Sequence, residues 1–358
     1  MEINIITIIG ARPQFIKHSI LENKLIENFN LRTIHTSQHY DYLMSDIFFQ
    51  ELGIRKPDYT LNNIKKKKGS QLGSMIIDLE EIISSSTTDA ILVYGDTRST
   101  LAGALVANQL SIPLIHVEAG LRSYNNEMPE EINRKITDLL SQILLVPTYS
   151  AKENLLKENI SKNIAVTGDI MKDLIIKARN EDFCKSPLEV GSYIYLTLHR
   201  PYNVDDKDRL LNILDTLNKL EKKIIFPVHP RTSKIISDGE IITKDFTNIT
   251  FTKPKGYKEN LNYLKFASHA ITDSGGMQKE AYWLQTPCIT IRPETEWIET
   301  LENNANFLVY DNLEIIKDYI RPKDIIWDQN LYGDGSTADK IIEAIKNYFI
   351  IKNQFRHH

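Results

Sequence analysis

The stretches ILVYGDT (91–97) and IPLIHVEAG (112–120) decide the fold class of this chain. Each is a short apolar run that ends in a carboxylate, Asp96 after the first run and Glu118 after the second. Strands that are apolar without alternation are buried on both faces, as in a parallel sheet covered by helices. Parallel strands end at one edge of the sheet, where open α/β proteins bind ligands. The two carboxylates are therefore predicted to lie side by side if their strands are neighbours.

The same alternation of apolar strands and amphipathic helices continues along the chain, and it predicts an α/β fold with parallel sheets. In the first half, strands are predicted at 3–10, 31–37, 90–96, 113–120, 143–148 and 164–168, with helices at 13–28, 70–84, 97–110 and 130–142. In the second half, strands are predicted at 193–200, 223–230, 249–253, 269–276 and 287–294, with helices at 205–221, 258–267, 275–285 and 295–303.

The chain length of 358 residues fits two domains better than one. The segment 173–192 loses the strand pattern and gains Pro187, Gly191 and charge, as expected of a connection between domains. We therefore predict a first domain over 1–172 and a second over 190–337.

Composition excludes several classes of function. The formal net charge of −4 gives no reason to expect nucleic acid or an anionic membrane as a partner. Cys184 and Cys288 are the only cysteines, which is too few for a disulfide framework or a metal cluster. The chain begins directly with a strand pattern, and no apolar run reaches the roughly 18 residues of a membrane span. We expect a soluble, cytoplasmic protein without a metal.

Acidic residues at strand ends are the first candidates for catalysis. Asp96 could serve in acid–base chemistry, or it could only cap the helix that follows, and both interpretations stay open. Glu118 lies between two apolar residues at a strand end. Burying a glutamate there costs free energy, so we expect its carboxylate to have a function. In MPEEINR, one of Glu130 and Glu131 is expected to face solvent as an ordinary acid of the first helical turn.

Two strand-end positions carry groups that could hold a phosphate. Arg12 follows Gly10 at a strand-to-helix turn, where a guanidinium could clamp phosphate or only close a surface loop. The G-x-G-x-x-G pattern of dinucleotide sites is absent there. His199 opens the loop HRPYN after a strand, whereas His229 has an equally plausible structural role. No histidine spacing typical of a metal site is present.

The turn DSGG (273–276) leads into a helix and predicts a phosphate cradle. Ser274, Gly275 and Gly276 offer a hydroxyl and unhindered backbone N–H groups at a helix start. Glu280 lies one helical turn further on and could accept from the two hydroxyls of a ribose. The alternative is a plain glycine turn with a solvent-facing glutamate.

In combination these motifs resemble the non-hydrolysing UDP-N-acetylglucosamine 2-epimerase family over essentially the whole chain. The motifs occur in the order GARPQFIK, TSQHYDYLMSDIFF, YGDTRSTLAGAL, HVEAGLRS, MPEEINR, TLHRPYNVDD, FPVHPR, TDSGGMQKEA, TPCITIRPETEW and YGDGSTADKI. The resemblance implies a glycosyltransferase-B-like fold of two Rossmann-like domains, with the active site in the interdomain cleft. It also implies a homodimer and a C-terminal helix (about 338–351, in a segment 338–358) that packs back on the first domain.

The resemblance also implies roles for individual residues. The catalytic positions are Asp96, Glu118, Glu130 and His199. The UDP-binding positions are Arg12, His199, Tyr257, Ser274, Gly275, Gly276, Glu280 and Arg292. Gln38 and Gln71 match parts of a second site that binds an activating sugar nucleotide in some members, but Asp41 stands where those members carry glutamine. No cofactor and no metal are implied.

The implied activity is C2 epimerisation of UDP-N-acetylglucosamine to UDP-N-acetylmannosamine, by anti elimination of UDP to a 2-acetamidoglucal and re-addition. Such products supply surface polysaccharide. The loop SYNNEM (123–128) is short and similar to that of epimerases acting on UDP-2,3-diacetamido-2,3-dideoxyglucuronic acid, so that substrate stays open. A glycosyltransferase of the same fold and a catalytically silent sugar-nucleotide binding protein are the competing interpretations.

Overall fold

The computed structural model describes residues 3–38, 49, 52–62, 67–180, 186–321 and 324–355. The chain divides into two compact units. Unit 1 comprises Met1–Leu174 and Asn330–His358, and unit 2 comprises Ile175–Gln329.

Unit 1 is built on a seven-stranded sheet in the order β3-β2-β1-β4-β5-β6-β7, with every neighbouring pair parallel. Its strands are β1 (Asn4–Ile9), β2 (Asn30–His35), β3 (Tyr59–Thr60), β4 (Ala90–Tyr94), β5 (Leu114–Val117), β6 (Ile143–Val146) and β7 (Ile164–Val166). All five residues of β4 are fully buried, as a central strand covered on both faces requires.

The described helices of unit 1 flank this sheet. They are α1 (Arg12–Asn28), α2 (Lys68–Ser84), α3 (Arg98–Gln109), α4 (Pro129–Leu140), α5 (Tyr149–Lys157), α6 (Ile170–Asn180, which runs past the end of the unit) and α13 (Thr337–Phe355). Met75 and Leu79 of α2 join Ile8 and Val93 of the strands in one buried cluster. The C-terminal α13 belongs to this unit and contacts α1 and β6.

Unit 2 has a six-stranded parallel sheet in the order β10-β9-β8-β11-β12-β13. Its strands are β8 (Tyr193–Thr197), β9 (Lys223–Pro227), β10 (Ile249–Thr252), β11 (His269–Thr272), β12 (Cys288–Thr290) and β13 (Asn306–Leu308). Its α-helices are α7 (Pro201–Val204), α8 (Lys207–Asn218), α9 (Pro230–Asp238), α10 (Tyr257–Phe266), α11 (Gly275–Trp283) and α12 (Ile316–Tyr319), with 3-10 helices at Thr243–Asp245, Ile298–Asn304 and Leu313–Ile315.

Two parallel sheets with flanking helices confirm the predicted α/β class, two Rossmann-like units of the glycosyltransferase-B kind. Local details of the structure differ from the predictions. The segment 295–303 is largely a 3-10 helix, interrupted by Glu302 (ψ 154°) and Asn303 (φ +56°), and not the predicted α-helix. The predicted connection 173–192 begins inside α6, because Ile175 packs as a buried residue. The strands β3 and β13 were not predicted, being only two and three residues long.

No helix within the described ranges is both long and apolar enough to cross a membrane. Cys288 is buried, which raises the pKa of its thiol to about 12, so this cysteine is an inert part of the core. Cys184 lies outside the described residues.

Candidate active site

Asp96 and Glu118 follow neighbouring strands, as predicted. The strands β4 and β5 pair in parallel, with Tyr94 opposite Val117. The backbone N–H of Gly95 donates to the Val117 carbonyl at 2.9 Å, which continues the ladder to the point where the carboxylates begin. Both candidate groups therefore leave the same edge of the sheet in unit 1.

Glu118 forms an ion pair with Lys17, a residue that sequence reasoning missed. The Lys17 ammonium contacts Oε2 of Glu118, and both side chains are only about a tenth exposed (10% and 11%). Lys17 lies on the buried face of α1 with Gln14 and Leu21, three and four residues away. The sequence did contain a sign of this role, because Lys17 stands at a position where the helical pattern predicts a buried residue.

The backbone around this ion pair is unusual. Glu118 has φ +73°, a left-handed conformation that non-glycine residues rarely adopt. Gly95 has φ +60°, and a Cβ there would lie 3.1 Å from Oε2 of Glu118 and 3.3 Å from Nζ of Lys17. Glycine at position 95 therefore lets the carboxylate and the ammonium approach the β4 strand end closely. Strained conformations of this kind cluster at functional sites.

Asp96 is paired with Arg134 of α4. Its Oδ2 accepts from Nη2 of Arg134, and its backbone carbonyl accepts from Nδ2 of Asn133 at 2.8 Å. The side chain is 30% exposed. The helix cap interpretation of Asp96 was wrong, since Thr97 is the N-cap of α3 and its hydroxyl accepts from Thr100 N–H. Asp96 thus faces Arg134, and Glu118 faces Lys17, so each of the two carboxylates has a cation beside it.

Glu130 and Glu131 in α4 differ in environment. Glu131 is fully buried and accepts from Ser123 N–H at 2.9 Å, Tyr124 N–H at 3.1 Å and Nη1 of Arg134 at 2.9 Å. Burial alone would raise the pKa of this carboxyl, but these donors and the Arg134 charge outweigh it and lower the pKa. Glu130 is half-buried in the first helical turn. Glu131 is thus structural, and Glu130 remains the candidate for chemistry.

Arg12 opens α1 and is half-buried. The turn before it is held by Gln14, whose Oε1 accepts from Gly10 N–H at 2.9 Å and Ala11 N–H at 3.1 Å. A Cβ at Gly10 would meet the Thr36 hydroxyl at 1.9 Å, so only glycine fits. The strand-to-helix turn that carries Arg12 is therefore closely constrained.

Gln38 and Gln71, the candidates for a second site, are brought together at the N-terminus of α3. Nε2 of Gln71 donates to the Gln38 carbonyl at 3.1 Å. Oε1 of Gln38 accepts from Ser99 N–H at 2.9 Å, and Oε1 of Gln71 accepts from Arg98. Their side chains thus bond to the protein itself, while Asp41 lies outside the described residues.

In unit 2, the DSGG turn forms the N-terminus of α11. Ser274 is the N-cap, and Gly275 and Gly276 begin the helix. Arg292 lies beside this turn with its side chain 2% exposed, and its Nη2 donates to Glu296 at 2.9 Å. Its Nε and Nη1 are buried and have no hydrogen-bond partner among the described residues. A buried arginine with free donors beside a helix N-terminus provides a site for an anion.

Glu280 and Tyr257 lie together in the same unit. The Tyr257 hydroxyl, from the first residue of α10, donates to Oε1 of Glu280 on α11 at 3.0 Å. Both side chains are more than nine-tenths buried. Tyr257 therefore orients the carboxylate that was predicted to meet a ribose.

His199 is positioned by Asp273, the residue of DSGG that sequence reasoning left without a role. The Asp273 carboxylate is fully buried and accepts from the N–H groups of His199 (3.0 Å) and Arg200 (2.9 Å). Nδ1 of His199 lies 3.2 Å from Oδ1 of Asp273, and the ring is 33% exposed. Burial lowers the pKa of His199; Asp273 acts against this, and Arg200, Arg292 and Arg231 add to it.

His229 takes the structural role. It is the N-cap of α9, where its Nδ1 accepts from Arg231 N–H at 3.1 Å. Its ring lies 5.3 Å from that of His199, between centroids. Within the described ranges, no group of three or more histidine, cysteine or acidic residues has the geometry of a metal site.

The predicted site residues thus divide between the two units. Unit 1 contains the carboxylates Asp96, Glu118 and Glu130, together with Arg12, Gln38 and Gln71. Unit 2 contains His199, Tyr257, Ser274, Gly275, Gly276, Glu280 and Arg292. The three carboxylates of unit 1 can exchange protons, and the groups of unit 2 can hold an anion and neighbouring hydroxyls.

Comparison with known proteins found a family model and several similar proteins. The family model "UDP-N-acetylglucosamine 2-epimerase" matches residues 22–346. The chain is 42% identical to the UDP-N-acetylglucosamine 2-epimerase of Methanocaldococcus jannaschii, covering 94% of this chain and 97% of that protein. It is 41% identical to the UDP-2,3-diacetamido-2,3-dideoxy-D-glucuronate 2-epimerase of Pseudomonas aeruginosa, covering 95% and 99%. The M. jannaschii crystal structure with UDP-GlcNAc and UDP superposes with a TM-score of 0.87 at 40% identity, covering 97% and 100%.

Proposed function

Because the chain belongs to the UDP-N-acetylglucosamine 2-epimerase family of isomerases, we propose that it inverts C2 of a UDP-2-acetamido sugar. The favoured reaction converts UDP-N-acetylglucosamine to UDP-N-acetylmannosamine. The observation that carries the proposal is the pair of carboxylates after the adjacent strands β4 and β5, each beside a cation. Moving a proton off one face of a carbon and onto the other needs positioned acid–base groups of this type.

In the proposed reaction a carboxylate of unit 1 takes the proton from C2. The electron pair of the C2–H bond forms a C1=C2 double bond, and the C1–O bond breaks with its pair leaving on UDP. The 2-acetamidoglucal then receives UDP again at C1 and a proton on the other face of C2. Glu118, Asp96 and Glu130 are the groups that would exchange these protons. The overall reaction oxidises nothing, so the balance needs no redox cofactor.

Unit 2 would hold the leaving nucleotide. The donors of Arg292 and the N-terminus of α11 at Ser274–Gly276 are suited to the diphosphate. Glu280, oriented by Tyr257, is suited to the ribose hydroxyls. His199, held by Asp273, and Arg12 of unit 1 complete the set of proposed UDP contacts.

A second substrate deserves equal testing, since the relative at 41% identity is named for UDP-2,3-diacetamido-2,3-dideoxy-D-glucuronate. The purified protein should be incubated separately with each of the two sugar nucleotides, and the anomeric signals of substrate and product followed by NMR. Epimerisation at C2 of either compound supports the proposal and names the substrate. Turnover of neither compound, with the protein folded and UDP bound, contradicts it.

We also propose, from the family resemblance, that the chain acts as a cytoplasmic homodimer and supplies precursors of a surface polysaccharide. Light scattering on the purified protein tests the dimer. Activation by a second sugar nucleotide at Gln38 and Gln71 would appear as a sigmoidal dependence of rate on UDP-N-acetylglucosamine concentration.

A further inference from the structure

His116, in the strand that ends at Glu118, has both ring nitrogens engaged. Nδ1 lies 2.7 Å from Oδ1 of Asp138 on α4, and Nε2 lies 2.7 Å from the carbonyl oxygen of Gly95. His116 and Asp138 are both fully buried. This short-contact pair is therefore shielded from water at the base of the two strand ends that carry Asp96 and Glu118.

Both partners of the ring are hydrogen-bond acceptors. A carbonyl oxygen only accepts, so Nε2 must carry a proton. Oδ2 of Asp138 accepts from Gly120 N–H at 3.1 Å and from Nη1 of Arg122 at 2.7 Å. A carboxylate oxygen that accepts from a backbone N–H and from a buried guanidinium is in the environment of an ionised group, so Asp138 is an acceptor. Nδ1 must then donate as well, and the ring holds two protons.

Four groups make up this cluster: His116, Arg122 and Asp138 are fully buried, and the Glu158 side chain is 32% exposed. Arg122 contacts both Asp138 and Glu158, so an imidazolium and a guanidinium face two carboxylates. A buried charge is tolerated when it is paired and hydrogen-bonded in this way.

The pair holds the backbone on both sides of Glu118. His116 holds the carbonyl of Gly95 (φ +60°), and Asp138 holds the N–H of Gly120 (φ +78°). Glu118 between them is itself left-handed at φ +73°. Asp96 directly follows Gly95, and Arg134 and Asn133, which bind Asp96, come from the same α4 as Asp138. One buried ion pair thus connects the elements that present all three proposed acid–base groups.

We propose that His116 is a positioning residue: a buried imidazolium, locked by Asp138, that fixes Gly95 and so places Asp96 and Glu118 for proton exchange at C2 of the sugar. This inference rests on the proposed function, because the effect of His116 on positioning is measured as the rate of the proposed reaction. The ring itself does not touch the substrate and acts only through the backbone that it holds.

The protonation of the ring is tested directly by ¹⁵N NMR of the histidine side chains, assigned by comparison with His116→Gln. Near neutral pH the wild-type protein is expected to show two protonated ring nitrogens at His116. In Asp138→Asn the amide group can donate to Nδ1 while its oxygen still accepts from Gly120, so Nδ1 is expected to lose its proton. If His116→Gln does not fold, the signals that change in Asp138→Asn assign the ring, and an unprotonated ring nitrogen at His116 in the wild type would overturn the proposal.

The positioning role is tested by kinetics of Asp138→Asn against a matched control, Glu158→Gln, which removes the other carboxylate of the cluster. Misplacing reacting groups slightly costs on the order of 10- to 100-fold in rate, so kcat of Asp138→Asn should fall by about this factor, with UDP affinity unchanged. Glu158→Gln should stay near the wild-type rate. Equal kcat for the two variants would refute the positioning role. If the wild type itself turned over neither sugar nucleotide, the proposed function would fail while the ring protonation stood.

Discussion

The ammonium of Lys17 and the carboxylate of Glu118 form a shielded ion pair although the two residues are 101 positions apart in the chain. The pair lies directly against Gly95, where a Cβ would be in tight contact with both head groups, 3.1 Å from Glu118 and 3.3 Å from Lys17. A lysine beside a carboxylate can stabilise its charge and also exchange a proton with it. The ion pair therefore marks Glu118 as the first group to test for catalysis.

Replacing Glu118 by Gln should preserve the fold, because the amide oxygen can still accept from Lys17. It should reduce turnover by at least about 100-fold, the usual effect of an acid–base group. UDP affinity should remain at the wild-type level, since the proposed UDP groups other than Arg12 lie in unit 2. Glu127→Gln, at an exposed position in the same unit, is the control. Near wild-type turnover of Glu118→Gln would contradict its assignment.

The adjacent acids of α4 should respond in opposite ways to the same substitution. Glu131→Gln removes the charge that meets Arg134 inside the protein and should lower the free energy of unfolding by about 2 kcal/mol, the scale for hydrogen bonds to charged groups. Glu130→Gln should leave stability unchanged and slow turnover. Urea titrations and steady-state rates on both variants check this. The idea fails if Glu130→Gln is the less stable variant.

The stability of unit 1 should depend on pH through Glu131 and Asp138. Both have a lowered pKa in the folded state, from ordinary values of 4.5 and 3.8, despite the opposing effect of burial. Such groups stabilise the fold fully above their unfolded pKa values, and this contribution is lost as pH falls through the lower folded values. Urea midpoints should therefore decline as the pH falls below about 5. Glu131→Gln should show a shallower decline, and an equal slope would argue against the assignment.

The UDP contact of Glu280 can be separated from chemistry. Glu280→Ala should weaken UDP binding by about 2 kcal/mol, because its proposed partners are ribose hydroxyls that bond to a charged group. Tyr257→Phe, which removes only the hydroxyl that orients Glu280, should cost about 1 kcal/mol. Titration calorimetry with UDP measures both. Unchanged affinity in Glu280→Ala would remove the ribose role.

Local patterns predicted the frame of the molecule but not its ionic pairs. The positions of Asp96 and Glu118 after the adjacent strands β4 and β5 were predicted correctly. A short run of consecutive apolar residues is enough to indicate a strand that is buried on both faces. Lys17, Arg134 and Asp273 were missed as partners of Glu118, Asp96 and His199, since each pair joins residues distant in the sequence. The short strand β13 and the 3-10 helix at Ile298–Asn304 carry too few residues for a period to show.

The central claim is that C2 loses its proton to the protein and regains one that has exchanged with solvent. The most direct measurement is turnover in D2O with the sugar nucleotide that the enzyme accepts, followed by NMR at C2 of the product. We predict that deuterium enters C2, that no acceptor is needed, and that small amounts of the glycal and free UDP appear as the noncovalent complex opens. Glu118→Gln should incorporate deuterium at a rate reduced in step with its turnover. Full turnover with the original hydrogen retained at C2 would contradict the elimination mechanism and the roles proposed for Asp96, Glu118 and Glu130.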